Sequence, residues 1–265
     1  MWDDHVKSGH EVKISIITVC LNSKITIRET IESVLRQNHK PTEFIIIDGG
    51  SVDETLKIIA EYEDSIDLLV SEPDGGIYDA MNKGIARATG EIVGILNSDD
   101  LFASNTVLSR VVREFEAMEV DAVFGDLVYV DDADTTKVVR NWESSAFIPA
   151  AFSRGWHPPH PTFYARKKVY DDFGLFDTNM KISADFEIMM RFLEVHSVPS
   201  KYIPETLVLM RTGGESNKSI RNIFTGNWFI YEAFKKHGIR YPWSYFPMRV
   251  LRKLLQFRVG QQAAR

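Results

Sequence analysis

"GEIVGILNSDD", residues 90–100, joins a buried strand signal directly to a run of polar and acidic residues. Residues 92–96 are an uninterrupted apolar run of strand length, and residues 97–100 follow it at once. Asp99 and Asp100 are adjacent, and two neighbouring carboxylates repel each other unless water or a cation surrounds them. One interpretation is a cation site at the tip of the strand. The other is a solvated loop in which Asp100 caps a following helix.

Strand and helix signals alternate upstream of this stretch. The strands lack polar alternation, which is typical of strands that are covered on both faces. They are "VKISIITVC" (12–20), "EFIIID" (43–48), "IDLLVSE" (66–72) and "EIVGILN" (91–97). The helices between them are "KITIRETIESVLRQ" (24–37), "SVDETLKIIAEY" (51–62) and "GGIYDAMNKGIARATG" (75–90). This order predicts an α/β fold with a mostly parallel central sheet and helices on both faces.

Polar residues collect where these four strands end. Each strand signal runs into acids, glycines or small polar residues, at 18–22, 48–51, 72–76 and 97–100. Ligands of parallel sheets bind beyond the carboxyl ends of the strands. Neither a P-loop motif nor G-x-G-x-x-G follows the first strand, so P-loop and Rossmann-type dinucleotide sites are disfavoured. An acidic rim can hold a phosphate-bearing ligand if Mg²⁺ or Mn²⁺ lies between them, and the pattern predicts such a site.

Composition places the chain among ordinary globular proteins. Its 265 residues are 44% hydrophobic and 26% charged, which suits one large domain or one domain with an appendage. Cys20 is the single cysteine, so no intramolecular disulfide can form, as in proteins of reducing compartments. The first residues lack the apolar segment of a signal peptide, and apolar runs are far shorter than a membrane span. We expect a soluble, cytoplasmic protein.

The net charge of −6 conceals an asymmetry along the chain. Residues 233–265 hold eight Lys and Arg and no acid, which leaves 23 basic and 37 acidic side chains in residues 1–232. The body therefore carries a net charge of −14 and the tail +8. An acidic body argues against general nucleic-acid binding, and the basic tail needs a separate explanation.

The pattern changes after residue 120. We predict a hairpin from "DAVFGDLVYVD" and "TKVVRNW", and a short helix into which "HPPHPTFYARKKVY" leads. We also predict an amphipathic helix at the end of "FGLFDTNMKISADFEIMMRFLEV", and a strand followed by a Gly-Gly loop in "KYIPETLVLMRTGGES". We divide the chain into a nucleotide-binding half (about 13–120), an acceptor and catalytic half (about 121–232), and a basic extension (233–265).

Six stretches in this order resemble the inverting family-2 glycosyltransferases of GT-A fold. They span roughly residues 13–216 and are "ISIITVCLN", "IIIDGGSVDET", "EPDGGIYDAMNKGI", "GEIVGILNSDD", "GLFDTNMKISADFEIMMR" and "MRTGGES". The resemblance implies transfer of a sugar from a nucleotide-sugar, expected to be a UDP-sugar, to a hydroxyl of a glycan acceptor. The most similar members are bacterial enzymes of surface-polysaccharide synthesis, which use lipid-linked acceptors.

The resemblance also implies roles for rim residues. Asp99 takes the place of the second aspartate of the family's D-x-D motif, which binds Mn²⁺ or Mg²⁺ at the donor diphosphate. Asn97 replaces the first aspartate, on the sugar-nucleotide side. Asp48 matches the residue that contacts uracil or ribose, with a simple turn residue as the alternative. Thr18 is expected to line the same pocket.

Two residues of "EPDGGIYDAMNKGI" have open interpretations. Asp74 matches an acid near the nucleotide, and it could equally be the N-cap of the helix that begins at Gly76. Lys83 could reach a phosphate, but its four-residue spacing from Asp79 favours an ion pair on the helix surface.

"SADFEIMMR" resembles the family element that carries the catalytic base. The match assigns the base to Asp185, with Ala184 where the family often has glutamate. Glu187 is the alternative base, and a helix N-cap is the alternative role for Asp185. Inverting transfer requires such a carboxylate, because the attacking hydroxyl must lose its proton.

His157 and His160 of "HPPHP" lie where the family's acceptor loop approaches the diphosphate. Each is a candidate to complete the metal shell, and the alternative is a structural histidine in the proline-rich loop. Gly213 and Gly214 are expected in a flexible loop near the acceptor.

The basic extension predicts an amphipathic helix from about Pro247. Its apolar side would hold Leu251, Leu254 and Leu255, with Arg258 beside them. Preceding aromatic residues and the positive charge suit an anionic membrane surface, at the inner face of the cell membrane. The alternative is packing on the domain or on a second subunit, which would make a homo-oligomer.

Two other functions remain open from the sequence. A nucleotidyltransferase also binds nucleotides on an α/β sheet, although "TVCLNSK" lacks the usual basic phosphate loop. A sugar- or lipid-carrier-binding module with weakened catalysis would explain Asn97.

Overall fold

A computed structural model describes residues 11–212 and 220–256 of the protein. Within these ranges, nine strands form one sheet, surrounded by eight α-helices. The strands are β1 Ile14–Cys20, β2 Thr42–Asp48, β3 Leu68–Ser71, β4 Ile92–Ile95, β5 Asp100–Phe102, β6 Ala122–Val130, β7 Val138–Trp142, β8 Tyr164–Arg166 and β9 Ser200–Arg211. The helices are α1 Ile27–Leu35, α2 Thr55–Ala60, α3 Ile77–Arg87, α4 Val107–Ala117, α5 Lys167–Phe173, α6 Ala184–Met190, α7 Ile220–Lys236 and α8 Tyr245–Leu255.

The sheet has a parallel part and a mixed part. Its order is β3-β2-β1-β4-β8-β6-β9-β5, with β7 paired to β6. The first four strands are parallel, as the alternation of strands and helices predicts. Beyond β4 the pairing is antiparallel from β4 to β8, β8 to β6, β6 to β7 and β9 to β5, while β6 and β9 are parallel. The predicted α/β class is confirmed, and the parallel part coincides with the proposed nucleotide-binding half.

Strand β1 explains why the parallel part is buried on both faces. Ile14 and Ile16 face a core cluster that includes α1 and α4, while Ile17 and Val19 face a second cluster that includes α3 and α6. All four are buried. Each fully buried aliphatic side chain contributes about 1.5–3 kcal/mol, so a strand without polar alternation is stable only between two layers.

Helix α3 packs unusually close to β1. A Cβ atom on Gly84 would collide with the Ile17 side chain, so only glycine allows this approach. The close packing directs the first turn of α3, after Gly76, toward the carboxyl ends of the parallel strands. The helix therefore begins beside the polar strand ends that the sequence singled out.

The elements predicted after residue 120 are also present. Strands β6 and β7 form the predicted hairpin, and α5 is the short helix after β8. The amphipathic helix begins at Ala184 and, after Met190, continues as a π-helical turn, Arg191–Val195. The Gly213–Gly214 loop lies outside the described residues.

Helix α7 was not recognised in the sequence, and it changes the description of the basic extension. The boundary expected at 232/233 lies inside this helix. Tyr245, at the start of α8, is fully buried, and its ring lies 5.4 Å from that of Phe234 in α7. The first part of the extension therefore belongs to the core. None of the helices in the described ranges is both long and apolar enough to cross a membrane.

Candidate active site

The carboxyl ends of β1 to β4 meet at one edge of the sheet. The register pairs Cys20 of β1 with Asp48 of β2, and Asp48 with Ser71 of β3. Strand β4 runs parallel to β1, so residues 97–100 leave the sheet at the same edge. We call these strand ends, residues 18–22, 48–51, 71–76 and 97–100, the strand-end rim. The predicted convergence of the four polar segments is confirmed.

Asp100 does not cap a helix. It begins β5, pairs with Met210 of β9 and is 0% exposed, whereas the next helix begins only at Val107. Burial and the charge of Asp99 raise the pKa of the Asp100 carboxyl well above its usual range. Without a cation, protonation of Asp100 would relieve the repulsion between the two acids. The expectation of a solvated loop is therefore wrong.

Three buried oxygens of the rim lack a hydrogen-bond partner among the described residues: Thr18 Oγ1, Asn97 Oδ1 and Asp100 Oδ1. The Asn97 amide nitrogen donates one of its two hydrogens to Asp100 Oδ2 over 3.0 Å, and the amide oxygen is left for a ligand. A buried polar atom without a partner costs about 1–3 kcal/mol, so these oxygens indicate a site for a bound group.

The donor set of the rim fits Mg²⁺ or Mn²⁺. Asp99 is partly exposed and lies next to these hard oxygen atoms. The described part of the chain holds no cluster of three or more His, Cys, Asp and Glu side chains suited to a metal. Mg²⁺ commonly binds one or two carboxylates and takes its other ligands from substrate phosphates and water. A cation here would therefore bind together with a phosphate-bearing ligand.

Asp48 is fully buried and holds the turn that follows β2. Its carboxylate accepts hydrogen bonds from the backbone N–H groups of Gly50 and Ser51, the hydroxyls of Ser51 and Ser71, and the Cys20 thiol. Burial alone would raise the pKa of Asp48, but the bonds from Ser51 and Ser71 outweigh it and lower the pKa. This geometry fits the turn-residue interpretation, and contact with a nucleoside stays a prediction.

Asp74 joins the end of β3 to the turn after β2. Its Oδ1 accepts a hydrogen bond from the Gly76 N–H over 2.8 Å. Its Oδ2 lies so close to Gly49 that a Cβ atom added to this glycine would be only 2.5 Å away. The N-cap of α3 is Gly76 itself, so the N-cap interpretation of Asp74 is wrong. The structure brings Asp74 into the rim beside Asp48.

Lys83 is engaged with acidic partners. Its Nζ lies 2.9 Å from Glu72 and 3.5 Å from Asp79, and it donates to the Pro73 carbonyl over 3.2 Å. The hydrogen bond to Glu72 raises the pKa of Lys83, although burial opposes it. The expected ion pair with Asp79 is confirmed, and contact with a phosphate stays a prediction.

Asp185 lies in the first turn of α6 and is partly exposed. The helix starts at Ala184 and its N-cap is Ser183, so Asp185 is not the N-cap. The Tyr78 hydroxyl of α3 donates to Asp185 Oδ1 over 3.1 Å. The acid predicted to be the base therefore contacts the helix that begins at the rim.

Glu187 is not suited to act as a base. It is fully buried and accepts two hydrogen bonds from Arg191, over 3.1 and 3.0 Å. A third hydrogen bond, of 2.6 Å, joins it to the His237 ring. Burial would raise the pKa of Glu187, but His237 and Arg191 outweigh it and lower the pKa to about 2. Glu187 joins α6 to the end of α7 and is already engaged with Arg191 and His237, so Asp185 stays the predicted base.

Both candidate histidines lie close to Asp185. His157 contacts Trp142 and Phe186 edge-on, with ring centroids 5.0 and 5.4 Å apart, and His160 contacts Phe176 at 5.5 Å. Burial lowers the pKa of both rings, to about 4 for His157, despite the opposing charge of Asp185. Both are neutral near pH 7, which is the state that binds metals. Metal binding by His160 stays a prediction.

Two residues that contact α6 are not recognisable from the sequence pattern. Tyr78 falls on a helix whose spacing suggests only a packing role, and its partner is 107 positions away. His237 contacts Glu187 of α6 and lies just after the end of α7, a helix that the sequence did not indicate. The one usable signal is that Tyr78 and Asn82 lie four residues apart, on one face of α3.

Comparison with known proteins identifies the family of the chain. The model of the family "Glycosyl transferase family 2" matches residues 15–181. An uncharacterized glycosyltransferase of Mycobacterium tuberculosis is 31% identical over 180 residues, 67% of this chain and 68% of that protein. A PGL/p-HBAD biosynthesis glycosyltransferase of Mycobacterium bovis is 26% identical over 214 residues, 79% of this chain and 81% of that protein.

Two solved structures have a similar fold. Residues 1–349 of S. aureus TarS, in complex with UDP-GlcNAc, align with a TM-score of 0.68 and 17% identity over 93% of this chain and 74% of that one. The mannosyltransferase PcManGT of Pyrobaculum calidifontis, in complex with GDP-Man and Mn²⁺, aligns with a TM-score of 0.62 and 17% identity over 93% and 75%.

These matches argue against the nucleotidyltransferase and binding-module alternatives. The family model covers the strand-end rim, and a relative above 30% identity extends over two thirds of the chain. The chain is a glycosyltransferase of GT-A fold and belongs to glycosyl transferase family 2.

Proposed function

We propose that this glycosyltransferase moves a sugar from a UDP-sugar to a hydroxyl of a glycan acceptor, with inversion and with the help of Mn²⁺ or Mg²⁺. The observation that carries the proposal is the rim itself, where unpartnered buried oxygens lie beside Asp99. TarS and PcManGT, which share the fold, were solved with nucleotide-sugars, and the latter also with Mn²⁺. The PGL/p-HBAD relative supports a role in the synthesis of surface glycans.

The residues of this chain have separate parts in the proposed reaction. Asp99 and Asn97 would hold the cation with the donor, and the cation would neutralise charge on the leaving diphosphate. Thr18 would line the nucleoside pocket, and Asp48 would shape the turn beside it. Asp185 accepts the proton of the acceptor hydroxyl as that oxygen attacks the sugar from the face opposite the diphosphate.

Donor binding is the direct test of this proposal. In calorimetry we expect UDP to bind in the presence of Mn²⁺ and at least about tenfold more weakly without it, because the diphosphate then faces Asp99 with no cation between them. GDP is the matched ligand, since it carries the same diphosphate on a different base. Absence of UDP binding under both conditions would contradict the proposal, and equal binding of GDP would contradict the uridine assignment.

We further propose that the acceptor is lipid-linked and that α8 attaches the enzyme to an anionic membrane. The helix exposes a stripe of apolar side chains, preceded by an exposed tryptophan: Trp243 (89% exposed), Phe246 (50%), Val250, Leu251 (58%) and Leu254 (59%). Packing of this side on its own domain, one of the alternatives from the sequence, is not seen for these residues. Phe257 and Arg258 lie outside the described residues, and the side chain of Leu255 is not described.

Charge supports a membrane as the partner of this stripe. Lys253, Arg252 and Arg240 are exposed beside it, and each cation near an anionic surface contributes about 1 kcal/mol. Not every cation of the extension is available, because Lys236 pairs with Asp177 and Glu187. Attachment would therefore combine apolar insertion with a salt-sensitive electrostatic part.

Vesicle co-sedimentation tests the attachment. We expect the enzyme to pellet with phosphatidylglycerol–phosphatidylcholine vesicles at low salt. Replacing Leu251 and Leu254 together with glutamine should remove about 2–3 kcal/mol of apolar burial, a loss of about 30- to 100-fold in partitioning. Point substitutions are preferable to truncation, because Tyr245 of the same helix is buried in the core.

The matched control for this experiment replaces Val138 and Val139 with glutamine. These residues are 41% and 43% exposed on β7, so the control also removes exposed apolar surface, but not from α8. Equal pelleting of the leucine variant and the wild type would exclude α8 as the attachment site. A change in oligomeric state in the leucine variant, without an effect on pelleting, would favour the second-subunit alternative.

A further inference from the structure

Tyr78 contacts the start of α6. Its hydroxyl donates to Asp185 Oδ1 over 3.1 Å. No other hydrogen bond to the Asp185 carboxylate is found in residues 11–212 and 220–256. One hydroxyl therefore holds one carboxylate oxygen of the proposed base.

The hydroxyl remains a donor across the physiological pH range. Burial, and then the charge of Asp185, raise the pKa of Tyr78 well above its usual range. A protonated phenol beside a carboxylate forms a charge-assisted hydrogen bond, which is stronger and more directional than a neutral one. The bond occupies Oδ1, and the other oxygen of Asp185 can then take the proton of an acceptor hydroxyl.

A second contact joins the same two parts of the chain. The Asn82 side chain donates to the Phe176 carbonyl and accepts from the Phe176 N–H, both over 2.9 Å. The rings of Tyr78 and Phe176 stack with centroids 5.5 Å apart. Tyr78 and Asn82 lie on one face of α3, so a single helix holds both Asp185 and the segment before α6.

Helix α3 also begins at the strand-end rim. Gly76 is its N-cap, and the Gly76 N–H donates to Asp74. Gly84 holds the helix against β1, whose Thr18 belongs to the rim. The first turn of α3, which contains Tyr78, therefore lies between the rim and Asp185. A rigid helix is the shortest physical link between the donor side and the base.

We propose that Tyr78 is a positioning residue, which orients the Asp185 carboxylate relative to the bound donor through helix α3. The inference rests on the proposed function, since it takes Asp185 to be the base. A misplaced base lowers the turnover rate, because proton transfer depends on geometry in the transition state. It does not change the affinity for the donor. Tyr78 itself has no part in binding the nucleotide.

The test uses Tyr78→Phe in the full-length protein. Carbon-13 NMR of labelled aspartate carboxyl groups, with Asp185→Asn to assign the signal, should show the Asp185 signal at a different chemical shift in the variant at the same pH. The reason is that the carboxylate has lost a charge-assisted hydrogen bond to one of its oxygens. Turnover of a UDP-sugar should fall by about 10- to 100-fold, the worth of a hydrogen bond to a charged group. The Kd for UDP with Mn²⁺ should stay within about twofold.

The other charges near Asp185 are the same in the wild type and in the variant. His157 and His160 lie near the carboxylate and Arg249 lies near His157, and burial keeps both rings neutral near pH 7. Tyr164→Phe is the matched control, because Tyr164 is a tyrosine of the core that is even more buried than Tyr78, and its hydroxyl has no partner among the described residues. We expect this control to leave the Asp185 signal and turnover unchanged.

Wild-type turnover in Tyr78→Phe would overturn the inference, and so would an unchanged Asp185 signal. Parallel losses of UDP affinity and turnover would overturn it too, since Tyr78 would then serve the donor pocket. Equal losses in the Tyr164 control would also overturn it, since they would show a general effect of removing core hydroxyls. Failure of the proposed function is distinguishable: the chain would neither bind UDP nor use a UDP-sugar, while the Asp185 signal would still move in Tyr78→Phe.

Discussion

Replacement of Asp185 by asparagine is expected to lower turnover of a UDP-sugar by about 10²- to 10⁴-fold, the usual worth of a general base. Asparagine has nearly the same shape but cannot take the proton of the attacking hydroxyl. The Kd for UDP with Mn²⁺ should remain within about twofold of wild type, because the rim is unchanged. Steady-state kinetics with a panel of UDP-sugars, combined with calorimetry, measures both quantities. Full activity of Asp185→Asn would contradict the assignment.

Glu187→Gln is the matched control, since it changes a carboxylate two positions away on the same helix. Glu187 itself is fully buried, accepts hydrogen bonds from Arg191 and is paired with His237 and Lys236. Weakening such a network costs about 3 kcal/mol, which lowers the Tm of a chain of this size by roughly 6–12 °C. Turnover per folded molecule should stay close to wild type. A large loss of turnover without a loss of stability would return the base to Glu187.

The parallel part of the fold could be predicted because its signal is local. Each strand is a short apolar run bounded by polar residues, and each helix between them repeats at three to four residues. The mixed part depends on pairings such as β4 with β8, which join residues more than 70 positions apart and leave no periodic pattern.

Asp100 shows why the site was only partly predictable. Its neighbours in the sequence are polar, and a strand of three residues is too short to produce a pattern. Its burial comes from pairing with β9, more than 100 residues later. The sequence locates the acids at the strand ends, but which acid is buried and which faces a ligand depends on distant chain segments.

The C-terminal helix of the basic extension was predicted, but the packing of the extension against the domain was not, for a related reason. Its charge suggested a segment outside the domain, yet Lys236 and His237 pair with Asp177 and Glu187 inside it. Helix α7 has apolar residues over much of its surface, because Phe234 and Ile230 are buried while Trp228 and Tyr231 are exposed. Such a helix lacks the clear two-sided pattern on which recognition depends.

Replacement of Asp99 by alanine is expected to weaken Mn²⁺-dependent UDP binding by at least about 100-fold, since even indirect partners of a metal ligand are worth 10- to 100-fold in affinity. Asn97 stands where the family has an aspartate, so the proposed cation would depend chiefly on the charge of Asp99. The remaining binding should no longer respond to Mn²⁺. Calorimetry with UDP, in the presence and absence of Mn²⁺, measures both effects.

Asp171→Asn is the control for the loss of one negative charge. Asp171 pairs with Lys167 at the start of α5. Lys167 directly follows Arg166 of β8, which pairs with Ile92 at the beginning of β4. It therefore lies at the edge of the sheet opposite the rim, and UDP affinity should not change. If Asp99→Ala retained the response to Mn²⁺, the cation would have to be held by other groups, of which Asp100 is the nearest. Burial disfavours the charged form of Asp100, so that outcome would require the metal to displace its proton and would make donor affinity fall steeply as the pH decreases.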